Sequence, residues 1–235
     1  MSGASTGLRP GRRRFRARAG IAAAAAVLVA VGVTLLVRQP WQPVTHLPAQ
    51  ACWGVLDADD LRPLAGGGNG TLTAATTTPT LQPGQSAGGA GYHCELAWHG
   101  GSAPTYLGNG PTIALHTESQ LTQARALDAS RGAVRPLSFG SGNTAWQAAE
   151  GYSLDLAIPC GFRDPYTGQS ATGYARISIG AAGNPSFPPA PPPAEVRQAD
   201  ARIVLKLAKA FAQQYPCTGV TLPTDPPPVP AITGS

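Results

Sequence analysis

His93, Glu95 and His99 are the nearest approach in the chain to a metal-ligand set. An extended strand turns alternate residues to one face, so His93 and Glu95 share a face and His99 follows just beyond, a pattern able to offer nitrogen and oxygen ligands to a divalent ion. The same alternation puts Cys94 on the other face, and polar residues on the solvent side of a half-buried strand account for the pattern without an ion. No metal is expected there. His46 lies in a proline-rich stretch, and His116 ends a second apolar segment. A serine hydrolase would show Gly-x-Ser-x-Gly or Ser-x-x-Lys. The nearest fragment, Gly140-Ser141-Gly142, has Phe139 where the first glycine is needed and reads as a turn into the next strand. The carboxylates Glu150 with Asp155, and Asp164 before Pro165, sit at turn positions rather than as a glycosidase pair. Gly66 to Thr71 looks like a phosphate loop but lacks the lysine before its threonine. The sequence therefore predicts no catalytic residue, no metal and no cofactor.

The four cysteines, Cys52, Cys94, Cys160 and Cys217, carry a different chemistry. Their even number and long spacings, with no C-x-x-C pair, favour disulfides over zinc. Three connectivities are open to four cysteines. Joining Cys52 to Cys94 and Cys160 to Cys217 ties each half of a domain into its own loop, worth about 4 kcal/mol apiece in the chain-entropy picture.

Disulfides require an oxidising compartment, and the charge distribution predicts how the chain reaches one. Residues 1–40 hold seven arginines and no acidic residue. Removing those seven from the 17 basic residues leaves ten against 12 acidic ones, so the remainder carries a slight negative charge. A basic face for nucleic acid is not expected. Six of the arginines precede the uncharged run Gly20 to Val37, and Arg38 follows it. That asymmetry predicts a single membrane-spanning helix with a cytoplasmic N-terminus and everything beyond Arg38 outside. A cleaved signal peptide ending at Ala49-Gln50-Ala51 is the competing reading. The apolar run is long for that, and the site lies far past its end.

The expected layout is a basic cytoplasmic tail over 1–19, an anchor over 20–37, a proline-rich stalk over 38–51, an ectodomain over 52–218 and a disordered proline-rich tail over 219–235. Within the ectodomain Asp57 caps a helix over Ala58 to Ala65, and residues 66–91 read as a long mobile loop. Tyr92 to Trp98 and Thr112 to His116 read as strands, and Thr117 with Gln120 forms a capping box opening a helix that Gly132 ends. Asn143 to Ala148, Tyr152 to Cys160 and Gly173 to Ile179 read as further strands, followed by a helix over Ala194 to Tyr215. That last helix places Val196, Ile203, Val204, Leu207 and Phe211 on an apolar face, and Arg197, Arg202, Lys206, Lys209 and Gln213 on a solvent face. The order of strand with cysteine, strand, helix occurs twice. The predicted class is α+β, a mostly antiparallel sheet with helices packed on one face, following one transmembrane helix.

The segments Ala51-Cys52-Trp53-Gly54-Val55-Leu56, His93-Cys94-Glu95-Leu96-Ala97-Trp98, Leu137-Ser138-Phe139-Gly140 with Ala145-Trp146, Ala157-Ile158-Pro159-Cys160 and Tyr215-Pro216-Cys217 together form a layout. It resembles the uncharacterised membrane-anchored or lipid-tethered envelope domains of actinobacteria over roughly residues 50–218, although the lipid-acceptor motif is lacking before Cys52. The resemblance implies an envelope location and a two-disulfide α+β fold, and brings no catalytic residue with it. The functional expectation is a non-enzymatic extracytoplasmic domain binding an envelope component or a partner protein. The alternatives are an envelope hydrolase without a legible motif and the outer half of a sensor complex.

Overall fold

The computed structural model describes residues 44–82, 91–149, 152–163, 170–180 and 191–232, all within the second of two units, Met1–Pro43 and Val44–Ser235. Among the described residues the elements run β1 (Thr45–His46), β2 (Gln50–Ala51), β3 (Leu56–Asp57), α1 (Ala58–Leu61), β4 (Gly70–Thr76), β5 (Tyr92–His99), β6 (Thr112–His116), α2 (Glu118–Arg131), β7 (Val134–Leu137), β8 (Thr144–Ala148), β9 (Leu154–Arg163), β10 (Ser170–Ile179) and α3 (Ala194–Gln214). Eight strands form one sheet in the order β1-β4-β5-β6-β10-β9-β8-β7, and β2 and β3 make a separate hairpin. The β1–β4 pair is parallel and the other ladders are antiparallel.

The fold class is α+β, but two parts of the expectation are corrected. The expected basic tail and the run Gly20 to Val37 lie outside the described residues, and among the described residues no helix is long and apolar enough to cross a membrane. The longest, α3, has 21 residues but carries six charged side chains from Glu195 to Lys209, each costly in hydrocarbon. The second correction concerns the helices, which lie on opposite faces of the sheet. In the β9–β10 ladder Leu156 pairs with Ile177 and Ile158 with Ala175, and these four belong to the core that includes Val196, Ile203, Val204, Leu207 and Phe211 of α3. Their neighbours Ala157 and Tyr174 point the other way, into a smaller cluster with Trp146 and Leu121 of α2. Strand β9 is apolar and buried on both faces, which is how a central strand covered from two sides reads. The repeated order of strand, strand, helix is thus present, but the two helices end on opposite sides.

Local signals set several boundaries. The side chain of Asp57 accepts the amides of Asp59 and Asp60, and Asp60 accepts the amide of Asp57 in return, opening α1. Pro63 has no N–H to continue the helix, so α1 stops at Leu61, short of the expected Ala65. Thr117 and Gln120 form the expected box at 3.3 and 2.8 Å, and α2 ends at Gly132. Part of the expected mobile loop is instead strand β4, with Leu72 opposite Trp98 and Ala74 opposite Leu96. Its inward residues are mostly small, which hides the alternation. The described part of the expected stalk is likewise strand: Thr45 and His46 pair with Gly70 and Thr71, and Gln50 and Ala51 with Asp57 and Leu56.

Much of the expected solvent face of α3 is engaged by other parts of the chain, while Gln213 near its end is exposed. Lys206 donates to Asp60 at 2.6 Å and Asp57 at 3.0 Å, and that bond, foremost among the causes, lowers the Asp57 carboxyl below the usual range. The chain after Cys217 runs back along the helix. Lys209 donates to the carbonyl of Thr224, Gln198 to that of Pro227 and Arg197 to that of Val229, while Val229 and Ile232 are buried. The expectation of a disordered tail is corrected over 219–232. Proline-rich chain has no periodicity to read, yet its carbonyls are unspent acceptors that suit a row of cationic and amide donors. Where this strap crosses the β7–β8 turn, Gly140 has φ +95° and sits against the Thr221 carbonyl, leaving no room for a Cβ.

Two measurements check this arrangement. Replacing the fully buried Leu207 by Ala should cost about 2 to 5 kcal/mol; a urea midpoint equal to that of the parent would mean α3 does not close the core. Asp200 lies on the buried side of α3, and burial pushes its carboxyl up to about 8. A raised carboxyl contributes stability that is complete below its ordinary value near 4 and lost as pH rises toward about 8. Asp200→Asn should therefore flatten the stability profile between those limits and exceed the parent at pH 8 by about 1 to 3 kcal/mol. Parallel profiles for the two proteins would show that Asp200 is solvated.

Candidate functional site

The β2–β3 hairpin turns through four residues, Cys52 to Val55, with the amide of Val55 donating to the carbonyl of Cys52 at 3.2 Å. Three successive residues are left-handed: Cys52 at φ +47°, Trp53 at φ +62° and Gly54 at φ +75°. A hairpin turn of this kind needs positive φ at both central positions, which glycine supplies freely and a bulky L-residue supplies at about 1 to 2 kcal/mol. Several contacts over-determine Trp53 in that conformation. Its indole N–H donates to the carbonyl of Thr78 at 3.0 Å and to its hydroxyl at 3.3 Å. Its ring meets Tyr92 edge-on, with centroids 6.3 Å apart. The Cys52–Cys94 disulfide anchors the residue before it to β5.

Tyr92 continues the aromatic cluster to Phe211 and Tyr215, which stack on each other at 4.1 Å. The Tyr92 hydroxyl donates to the carbonyl of Gln82 at 2.8 Å, so the proton between the two phenols comes from Tyr215. Burial, then that bond to Tyr92, raises the Tyr215 phenol well above the usual tyrosine range. These bonds hold residues 78–82 at both ends, facing the hairpin turn. Between them lies a cleft of about 370 Å³, walled by Trp53 and Val55 on one side, residues 79–82 on another and Gln214 at the end of α3. The fixed parts of the wall come from the turn, the disulfide and the tyrosine pair, and its lining holds aromatic, aliphatic, hydroxyl and amide groups.

A second polar constellation lies beneath α2. Asp155, fully buried on β9, accepts from Arg176 Nε at 2.8 Å, from Ser153 at 3.2 Å and from Ser178. Arg176 lies over the Trp146 ring and also reaches Asp128 of α2 at 3.5 Å, while the Trp146 indole donates to the same carboxylate at 2.9 Å. Burial raises the Asp155 carboxyl despite the cation and the hydroxyls, and His116, half-buried nearby, is lowered by burial and then by Arg176. Asp155 is engaged on both oxygens, so the cluster clamps α2 to the sheet and presents no free base. Beside it a groove of about 420 Å³ runs along α2 past Leu121, Arg125 and Tyr174.

Of the residues singled out in the sequence, the four cysteines form the two sequential pairs, Cys52 with Cys94 and Cys160 with Cys217. His93, Glu95 and His99 line the outer side of β5. The two histidines are six residue steps apart along the strand, about 20 Å at the usual rise, too far to share an ion. His99 instead bonds to the Thr73 hydroxyl at 2.9 Å, and among the described residues no three His, Cys, Asp or Glu side chains converge. Gly140-Ser141-Gly142 is a turn before β8. Gly70 opens β4, and Gly68 packs against Trp98 and Pro104. Glu150, Asp164 and Pro165 lie outside the described residues. The residue that sequence reasoning passed over is Trp53, whose signal was an aromatic immediately before a glycine at a hairpin turn. Comparison with known proteins finds no family model, curated protein or solved structure that matches the chain.

Arg176→Met tests the clamp. Removing the cation strands a buried carboxylate, an expected loss of about 3 to 5 kcal/mol. With Asp155 raised further, the loss should be smaller in acid, where the carboxyl is neutral, and grow as pH rises. Denaturation at pH 4.5 and pH 7.5 checks the sign; equal losses at both would show that Asp155 does not carry the effect.

Proposed function

We propose that the chain is a non-enzymatic extracytoplasmic domain, of the actinobacterial envelope kind that its sequence resembles, and that it binds an envelope component or a partner protein at the Trp53 cleft. The observation that carries this reading is the make-up of the cleft: a preformed wall whose lining among the described residues, Trp53, Val55, residues 79–82 and Gln214, holds no acid, base, thiol or amine. General acid–base and nucleophilic catalysis both need a group that exchanges protons or attacks. Recognition needs fixed donors, acceptors and an apolar surface, which this lining has. Two disulfides support an oxidising compartment.

The test is co-sedimentation of the full chain with isolated actinobacterial envelope material. Binding should be saturable and fall at least about tenfold in Trp53→Ala and in Gln214→Ala, the second altering an exposed helix end without touching the core. Retention of both variants at the parental level, or steady release of soluble fragments from the material, overturns the proposal.

A further inference from the structure

Resting on the reading that the cleft is the binding site, we infer that it takes an uncharged, hydroxyl-bearing ring, a neutral sugar unit of a glycan. Among the described residues, no basic or acidic side chain lines the cleft. An ionised ligand would lose water there without gaining a counter-charge, which costs several kcal/mol. The amide side chains in the lining are Gln82 and Gln214. A carboxamide presents a donor and an acceptor side by side, and a hydroxyl is both at once, so an amide can meet a ring hydroxyl in either sense. Trp53 contributes a different surface. Its N–H is already committed to Thr78, which leaves the carbon surface of an indole among the groups lining the cleft, a surface suited to the C–H side of a saturated ring. Its left-handed backbone, the disulfide beside it and the Tyr92 bond to the Gln82 carbonyl fix this wall before any ligand arrives, so little ordering is lost on binding. The volume of about 370 Å³ falls inside the range of about 300–1,000 Å³ usual for small-ligand sites.

The experiment titrates the full chain with N-acetylglucosamine trimer and maltotriose, both neutral, against glucosamine trimer and trigalacturonate, their cationic and anionic counterparts, and a capped neutral tripeptide, following tryptophan fluorescence and ligand-side saturation-transfer NMR. At least one neutral trimer should bind with a Kd of about 1 mM or tighter, and the charged counterparts at least about tenfold more weakly. Trp53→Phe, which keeps a ring, and Gln214→Ala should each weaken the neutral trimer about fivefold or more, with unchanged melting behaviour for Gln214→Ala. Equal binding of charged and neutral trimers, tighter binding of the peptide, or no neutral trimer bound at about 10 mM overturns the sugar assignment. If that happens while Trp53-dependent co-sedimentation persists, the ligand class is wrong and the cleft remains the site. If co-sedimentation ignores Trp53 and Gln214, the cleft reading itself falls.

Discussion

Helix α3 can bury one face against a sheet, but its other face carries Arg197, Gln198, Lys206 and Lys209, whose donors must find acceptors wherever water is displaced. The rest of the domain is arranged around that requirement. The carboxylates of Asp57 and Asp60, brought together by the capping of α1, receive Lys206, and the backbone of the proline-rich strap receives the other three. The Cys160–Cys217 disulfide lies just past the end of α3 and fixes where the strap begins, against β9. The same C-terminal end of the helix matters to the cleft. Phe211 and Tyr215 close the aromatic cluster behind Trp53, and Gln214 forms part of its wall. A shift of α3 would therefore move the cleft, the strap and the α1 hairpin together.

How much of this was legible in the sequence follows from the size and spacing of the side chains. Strands β5 and β6 and the apolar stripe of α3 rest on large residues at the right period, the Asp57 cap and the Thr117 capping box on their spacing, and the structure places them as the pattern requires. Strand β4 was read as loop because Ala74 and Thr76 give its inward face too little contrast. Strand β7 was missed because Pro136 argues against a strand, although a sheet edge tolerates proline. The two-sided burial of β9 was written in its run from Leu154 to Ile158, apolar except for Asp155, and that one carboxylate masked it. The polar face of α3 was taken as solvent-facing because periodicity distinguishes polar from apolar, but not water from a backbone carbonyl.

The cleft was harder to foresee for a different reason. Its shape depends on a backbone conformation, and its groups come from the β2–β3 turn, the segment after β4 and the end of α3, far apart in the chain. No motif joins them. The titratable constellation visible in the sequence, His93, Glu95 and His99, shares a strand face but is spread along it, whereas the described groups that line the cleft are uncharged. Trp53 was visible only as one letter of a short Ala-Cys-Trp-Gly motif; the strain that marks it appears when its φ is known.

The opposite placement of α2 and α3 divides the molecule into two kinetic regimes. Helix α2 buries one residue, Leu121, leaves Leu127 about half exposed at 49%, and is tied to the sheet through Asp128. Helix α3 is packed below and strapped above. Local opening should lift α2 alone, with amide protons exchanging through that brief excursion while those of α3 wait for global unfolding. Each excursion uncovers Trp146, otherwise sealed from solvent, and bares the backbone around Arg125 and Arg131. Among the described residues, native-state proteolysis by an arginine-specific protease then begins on this face of the sheet, and the side that carries the cleft outlasts that cut.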